Sequence, residues 1–96
     1  MKIKVKYLGP VALMVKKREE ELEISSRASI HELLRKLSSL YGKEFESEVL
    51  QDDGENIRNG MAITVNGKLI GQLEGLRTLL EIGDSIALLP LFLGGG

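Results

Sequence analysis

The sequence predicts an α+β fold in which a mixed sheet of four to five strands carries one main helix packed on one face. Three observations predict it: stretches in which apolar and polar residues alternate, one long amphipathic helical pattern, and a closing strand that is apolar on both faces. A chain of 96 residues has room for one modest core and not for two. We therefore expect residues 1–96 to form a single domain with a flexible C-terminal glycine tail at 94–96.

The first two strands come from the N-terminal quarter of the chain. Residues Lys2–Tyr7 alternate strictly, with three apolar side chains on one face and three lysines on the other, which is typical of a half-buried strand. Gly9-Pro10 interrupts the pattern, and Val11–Val15 fits a helical turn or an irregular loop equally well. The charged run Lys16–Glu20 is expected to be a solvated turn. Alternation returns at Glu21–Ile24, so this second strand should pair antiparallel with the first.

The main helix is predicted at residues 29–41. Ser29 and Glu32 have the spacing of a capping box, in which each side chain bonds a backbone N–H left free at the helix start. Gly42 is placed to end the helix. The apolar residues recur at helical spacing and form one stripe: Ile30, Leu33, Leu34, Leu37, Leu40 and Tyr41. The helix should pack this stripe on one face of the sheet.

A second hairpin follows a polar stretch. Between residues 43 and 60 a short helical turn fits around Glu44–Leu50, and Gln51–Asn56 has the composition of a turn. Strand alternation resumes at Met61–Val65, and Asn66-Gly67 predicts a type I′ turn because both of its central positions need positive φ. Lys68–Ile70 would be the short returning strand.

The last strand should lie in the middle of the sheet. A loop from Gly71 to Leu80, pinned by Leu73, Leu76 and Leu79, leads to it. The strand itself, Ser85–Pro90, is apolar on both faces, as expected where neighbours flank both edges. The order hairpin, helix, hairpin, loop, final strand, with a right-handed crossover through the helix, predicts a β-grasp arrangement.

The candidate functional centre is the glycine run Gly94-Gly95-Gly96 at the end of an apolar stretch. Glycine loses the most conformational freedom when it is ordered, so the run should be mobile. It is also the thinnest peptide available, and it could carry a terminal carboxylate into a channel too narrow for side chains. We take Gly96 as the reactive terminus with Gly95 beside it. The residues predicted to contact a partner are Gly94, Leu93, Phe92, Leu91 and Pro90.

Composition argues against several other functions. The formal net charge is −1, so no basic field gathers nucleic acid or anionic lipid. The chain has no cysteine, which removes disulfides, thiolate nucleophiles and cysteine metal sites. Neither a signal-peptide pattern nor a stretch of membrane-spanning length occurs, and we expect a cytoplasmic protein with no membrane partner.

Other polar features have simpler interpretations. His31 lies off the apolar stripe of its helix, and we expect it to be solvent-exposed rather than a catalytic or metal-binding group. Asp52, Asp53 and Glu55 lack the spacing of a calcium loop and are expected to form a solvated turn. We predict no metal site.

Several pieces, taken in order, resemble one family. They are Tyr7-Leu8-Gly9-Pro10, Arg18–Glu23, the helix Ser29–Leu40, Val65-Asn66-Gly67, Gly83–Ile86, and Pro90 followed after three residues by Gly94-Gly95. In this order the chain resembles the sulfur-carrier branch of ubiquitin-like proteins, and within it the small subunit of molybdopterin synthase.

The resemblance implies a mechanism and partners. A ubiquitin-activating-type enzyme adenylates the terminal glycine carboxylate, using ATP and Mg²⁺ that the carrier itself does not bind, and a thiocarboxylate then forms. The sulfur passes to a precursor on the large subunit of molybdopterin synthase, in a heterotetramer of two small and two large chains. The small chain would thus be a non-catalytic carrier.

One departure from the family pattern concerns the third glycine. If Pro90 aligns with the family's proline, Gly94-Gly95 fill the diglycine positions, Gly96 is one residue more, and Leu91 replaces a usual second proline. Three explanations account for the extra glycine: the partner's pocket accommodates it, the alignment is shifted by one residue, or Gly96 is trimmed.

Three alternative functions stay open. The same carrier chemistry could supply sulfur to thiamine thiazole or to transfer RNA. The tail could instead form isopeptide bonds with target lysines, as in a protein modifier. A plain interaction module would leave its terminal carboxylate unused.

Overall fold

The secondary structure of the chain comes from a computed structural model that describes residues 1–91. Two single turns of 3-10 helix, Ile70–Gln72 and Gly75–Arg77, lie in the connection before the last strand. The strands and helices, in chain order, are β1 (Lys2–Tyr7), α1 (Pro10–Val15), β2 (Glu19–Glu23), α2 (Ile30–Tyr41), α3 (Lys43–Val49), β3 (Met61–Val65), β4 (Lys68–Leu69) and β5 (Ser85–Pro90).

The five strands form one mixed sheet in the order β2-β1-β5-β3-β4. β5 is parallel to β1 and antiparallel to β3, and each of the two hairpins, β1-β2 and β3-β4, is antiparallel. The last strand therefore lies between the two hairpins, and the predicted central position is confirmed. The β-grasp arrangement with one main helix is confirmed as well.

The core lies between the sheet and α2. Alternate residues of the three central strands point to the helix, and all are buried: Ile3, Val5, Tyr7, Ile63, Val65, Ile86 and Leu88. From α2 the buried residues are Ile30, Leu33, Leu34 and Leu37. Both patterns could be predicted from the sequence. Burial of one strand face requires an apolar residue at every second position, and burial of one helix face requires an apolar stripe at helical spacing.

The start of α2 has the predicted capping box. The Glu32 backbone N–H donates to Ser29 Oγ at 3.1 Å, and the Ser29 backbone N–H donates to Glu32 Oε1 at 3.2 Å. At the other end Leu40 is 55% exposed, contrary to its predicted place in the buried stripe. The reason is α3, which agrees with the short helical turn predicted around Glu44–Leu50. The ring centroids of its buried Phe45 and of Tyr41 are 5.9 Å apart, and this packing leaves Leu40 outside.

The second strand begins earlier than predicted. Pairing with β1 extends to Glu19, and the Tyr7 N–H donates to the Arg18 carbonyl at 2.8 Å. Glu20 therefore belongs to the strand and is half-buried, so the prediction of a solvated turn through Glu20 was wrong. The unassigned segment before it, Val11–Val15, is helical and lies within α1.

The connection between β4 and β5 keeps one of its three predicted anchors, Leu76, which is half-buried against the core, and has two others that were not predicted. Ile70 and Leu80 are buried, whereas Leu73 and Leu79 are exposed. The segment runs along the start of α2, where the Leu80 N–H donates to the Ala28 carbonyl at 2.8 Å. In that extended stretch alternate side chains face inward, so Thr78 and Leu80 are buried and Leu79 faces solvent.

Candidate functional site

The last strand leads directly to the predicted tail. Along β5, Ile86 and Leu88 are fully buried. The strand pairs with β1 on one side, where Tyr7 lies opposite Leu88, and with β3 on the other, where Met61 lies opposite Pro90. Pairing on both edges as far as Leu88, and on the β3 edge as far as Pro90, fixes the path of the strand and gives the residues beyond it a defined origin.

Leu91 is the last described residue, and it is still attached to the body. Its backbone N–H donates to the Gly60 carbonyl at 2.8 Å. Gly60 has φ of +89°, a conformation that glycine adopts without strain. Residues 92–96, which include the predicted reactive and partner-contacting residues Phe92, Leu93, Gly94, Gly95 and Gly96, lie outside the described part of the chain. Their assignments stay predictions.

A second glycine turn lies against the end of β5. Gly9 has φ of +68° and ψ of −147°, a region that is essentially restricted to glycine. A Cβ atom at this position would be 2.9 Å from Pro90 Cγ and 3.1 Å from Pro90 Cδ. The sequence predicted Gly9-Pro10 only as a break in a strand pattern. No local feature of the sequence indicates that this turn contacts Pro90, where the tail begins.

An apolar patch surrounds the end of β5. It lies on the face of the sheet that the helices leave uncovered. Leu8 and Leu91 are each 46% exposed, and half-buried Leu89 occupies an outward-facing position of β5. We call these three leucines the exit patch. Leu91, one of the residues predicted to contact a partner, is thus accessible on this face. Leu8 was missed because it falls just after the last alternating residue of β1.

Charged side chains of both signs cover the part of this face that β1 and β2 form. Lys2, Lys4 and Lys6 of β1 alternate outward and are exposed. They lie opposite three glutamates of β2 in the strand register, and Lys4 Nζ is 3.5 Å from Glu19 Oε2. The opposed rows cancel each other's field at a distance.

A half-buried acid, Glu20, links several elements close to the exit patch. Glu20 Oε2 accepts hydrogen bonds from the Tyr7 and Tyr41 hydroxyls, each at 2.5 Å. Lys17 Nζ approaches Glu20 Oε1 at 3.3 Å. This Glu20 cluster joins the end of β1 to β2 and to the end of α2, and its Tyr7 lies opposite Leu88 of β5 in the strand register.

The cluster sets the ionisation of its members. Partial burial by itself raises the pKa of Glu20, but the hydrogen bonds from Tyr41, Tyr7 and Lys17 outweigh burial and hold that pKa below its usual value. Burial, together with the hydrogen bond to a carboxylate, raises the pKa of Tyr7 far above its ordinary range. Glu20 is therefore a stable anion and both phenols stay neutral donors.

The remaining polar features have structural partners. His31 is half-buried, with Nε2 3.1 Å from the Gly54 carbonyl oxygen, so the expectation of simple solvent exposure was wrong: the ring bridges α2 to the acidic turn. In that turn the Asp53 carboxylate accepts from the Glu55 N–H at 2.9 Å and from Asn56 Nδ2 at 3.0 Å. These bonds lower the pKa of Asp53. They lie within an exposed turn, as predicted for this acidic segment.

Residues 1–91 contain neither a metal site nor a membrane-spanning helix. No group of three or more His, Cys, Asp or Glu side chains is arranged there to hold a metal ion. None of the helices in that part of the chain has the length and apolar character needed to cross a membrane.

Comparison with known proteins connects this geometry to a family. The sequence profile of the ThiS family matches residues 5–95. A relative from Archaeoglobus fulgidus, provisionally named a sulfur carrier protein, is 34% identical over 76 residues, which is 78% of this chain and 84% of the relative.

Solved structures share the fold over almost the whole chain. SAMP1 from Haloferax volcanii, a small archaeal modifier protein, has a TM-score of 0.82 at 24% identity and covers 99% of this chain and 100% of its own. A Pyrococcus furiosus protein, provisionally titled molybdopterin converting factor subunit 1, has a TM-score of 0.74 at 23% identity and covers 96% of this chain and 99% of its own. These two likenesses show the ubiquitin-like β-grasp fold. The profile match and the 34% identical relative establish that the chain belongs to the ThiS family of ubiquitin-like sulfur carriers.

Proposed function

We propose that this chain is the sulfur-carrying small subunit of a molybdopterin synthase and that its terminal glycine carries the sulfur as a thiocarboxylate. The observation that carries the proposal is the match to a sulfur-carrier family that runs into the terminal glycines, to residue 95. In the fold, the strand that ends in those glycines is the central strand, held on both edges. A rigid body with a thin, chemically simple end suits delivery of a reactive group into a partner.

The chemistry requires activation of the terminal carboxylate. Resonance and negative charge make a carboxylate a poor acyl donor. A carboxylate oxygen of Gly96 attacks the α-phosphorus of ATP on a ubiquitin-activating-type enzyme, and pyrophosphate leaves. Hydrosulfide then attacks the glycyl carbonyl carbon and AMP leaves, so that a thiocarboxylate replaces the carboxylate. ATP and Mg²⁺ belong to the activating partner in this scheme.

Donation of the sulfur restores the carrier. The thiocarboxylate sulfur attacks an electrophilic acceptor carbon of the precursor, a new sulfur–carbon bond forms, and an oxygen substituent leaves that carbon. Carrier and acceptor are then joined through the sulfur as a thioester. Water cleaves the acyl–sulfur bond, which leaves the sulfur on the acceptor and returns Gly96 as a carboxylate. Two such transfers build a dithiolene, which agrees with a heterotetramer of two carriers and two large subunits.

The exit patch is the proposed contact surface for both partners. Leu8 and Leu91 are exposed leucines next to the base of the tail, where a partner must bind if the tail is to enter its channel. Burying them on binding removes apolar area from water, and the rows of opposite charge beside them can fix orientation. Pro90 and Leu91 thus keep their predicted partner role, with Phe92, Leu93 and Gly94 continuing the contact.

Molybdopterin as the destination rests on two supports. The sequence pieces from Tyr7 to the terminal glycines resemble the synthase small subunit, and a solved structure of the same fold is provisionally titled a molybdopterin converting factor subunit. Acceptor choice lies in the large subunit, so the direct test supplies that subunit. Carrier loaded with sulfur, molybdopterin synthase large subunit and precursor Z should yield molybdopterin, measured as its fluorescent oxidation product.

The controls separate the chemistry from the destination. Loaded carrier given thiazole synthase and its substrates should produce no thiazole, and unloaded carrier should produce neither product. Thiazole without molybdopterin would assign the sulfur to thiamine and overturn the destination while keeping the carrier role.

Protein modification is a second candidate function, favoured by the overall likeness to the archaeal modifier SAMP1. On that reading the adenylated Gly96 is attacked by a lysine amine of a target rather than by a sulfur nucleophile. Cell lysate containing tagged chain would then show higher-mass conjugates that disappear when Gly95-Gly96 are deleted.

A further inference from the structure

Two glycine turns hold the base of the tail from different sides. Gly9 lies against the Pro90 ring, where a Cβ atom would approach Cγ to 2.9 Å. Gly60 offers its carbonyl to the Leu91 N–H at 2.8 Å. Both glycines have positive φ, +68° and +89°.

The contact at Gly9 leaves no space for a side chain. Contacts under 3.0 Å between carbon atoms lie well inside the optimal separation of about 3.5–4.0 Å. Pro90 Cγ could shift slightly by a change of ring pucker. Cδ, at 3.1 Å from the same Cβ position, is bonded to the Pro90 backbone nitrogen. Relief of the clash therefore displaces the chain at the point where the tail begins.

We infer that Gly9 is a positioning residue for sulfur transfer: by admitting Pro90 to van der Waals contact, it sets the direction in which the tail leaves the sheet. The inference rests on the proposed function, because direction matters only if the tail must enter a partner's channel. Since the exit patch binds the partner while the tail carries the reacting atom, an error in direction should spare affinity and slow the chemical step.

The first experiment needs no partner and measures amide hydrogen exchange. Opening of the Leu91 hydrogen bond to Gly60 exposes the Leu91 amide, whereas the amide of buried Ile86 reports the body of β5. In Gly9→Ala we expect the Leu91 amide to exchange about tenfold faster than in the wild type, and still faster than Ile86 in the same variant. Exchange at Ile86 reports any general loss of stability separately, because that buried amide opens with the whole sheet.

Gly67→Ala is the matched control for backbone strain. Gly67 has φ of +86°, and within the described residues no atom lies within 4 Å of its Cβ position. It suffers the same conformational penalty without a steric contact at the tail. In Gly67→Ala the exchange rate of the Leu91 amide should therefore equal that of the wild type, even where Ile86 exchanges faster. If Gly9→Ala and Gly67→Ala accelerate Leu91 exchange equally, strain alone explains the effect and the inference is overturned.

The second experiment measures activation. With the activating enzyme, Gly9→Ala should lower kcat of ATP–pyrophosphate exchange about tenfold while Kd changes less than about threefold. Adding Pro90→Ala removes Cγ and Cδ of the ring, so the double variant should be faster than Gly9→Ala. Should Gly9→Ala not fold, the double variant must fold and turn over. A double variant no better than Gly9→Ala, in either folding or rate, contradicts a role through Pro90.

The two experiments separate this inference from the proposed function. If wild-type protein supports no ATP–pyrophosphate exchange, the carrier proposal fails. The rate of amide hydrogen exchange at Leu91 then still decides whether Gly9 fixes the start of the tail. If wild type is activated and Gly9→Ala matches it in kcat, the carrier proposal stands and the positioning role is wrong.

Discussion

Glu20 is the residue at which side chains from three elements meet. Its carboxylate accepts from Tyr7 on β1 and Tyr41 on α2, and it is itself part of β2. A hydrogen bond to an ionised group contributes more than one between neutral groups. The charge run around Glu20 concealed this role, because a charged segment is usually solvated and only the tertiary fold places two phenols over one of its carboxylates.

The depressed pKa of Glu20 makes its contribution dependent on pH. The carboxylate stabilises the fold above the pKa of an unfolded glutamate, about 4.3, and that contribution is lost as pH falls through the lower folded pKa. Glu20→Gln should cost about 1–3 kcal/mol at pH 7. Below pH of about 4.3 its stability and that of the wild type should converge, as measured by urea unfolding at several pH values.

Glu21→Gln is the control for this effect, since Glu21 is an exposed neighbour on the other face of β2. Its difference from wild type should be small at pH 7. A Glu20→Gln difference that stays constant from neutral to acidic pH would show that the carboxylate's charge does not contribute.

Among the elements, α2 was specified by local sequence. Its capping box, apolar stripe and terminal glycine are signals within a single segment, and the structure has them, except that Leu40 at the end of the stripe is exposed. The hairpin turn is equally local: Asn66 and Gly67 both have positive φ, +52° and +86°, as predicted. By contrast, α1 and the anchors Ile70 and Leu80 depend on which core positions distant elements leave open, and no short segment encodes that information.

Removal of the α2 cap should have a defined cost. Ser29→Ala deletes the oxygen that accepts from the Glu32 N–H and should lower the free energy of unfolding by about 1 kcal/mol. Ser39→Ala is the matched control, because Ser39 is exposed in the same helix and alanine is the better helix former there. Equal destabilisation of the two variants in chemical unfolding would mean that the capping box does not stabilise the protein.

At the scale of the whole molecule, the fold has one consistent design: a central strand clamped between two hairpins ends where the predicted reactive tail begins. The sequence predicted the strand and the tail because apolarity and glycine are visible in a list of residues. It did not predict Gly9 against Pro90 or the Gly60–Leu91 hydrogen bond. Those contacts join segments 81 and 31 positions apart, which only the closed sheet brings together.

The central claim is that the terminal carboxylate becomes a thiocarboxylate, and intact-protein mass spectrometry tests it most directly. After incubation with the activating enzyme, ATP and a sulfur source, the chain should gain about 16 Da, the difference between oxygen and sulfur. A chain lacking Gly95-Gly96, and one extended by two residues after Gly96, should gain nothing. An unchanged wild-type mass, or the same gain in the shortened chain, would contradict the account.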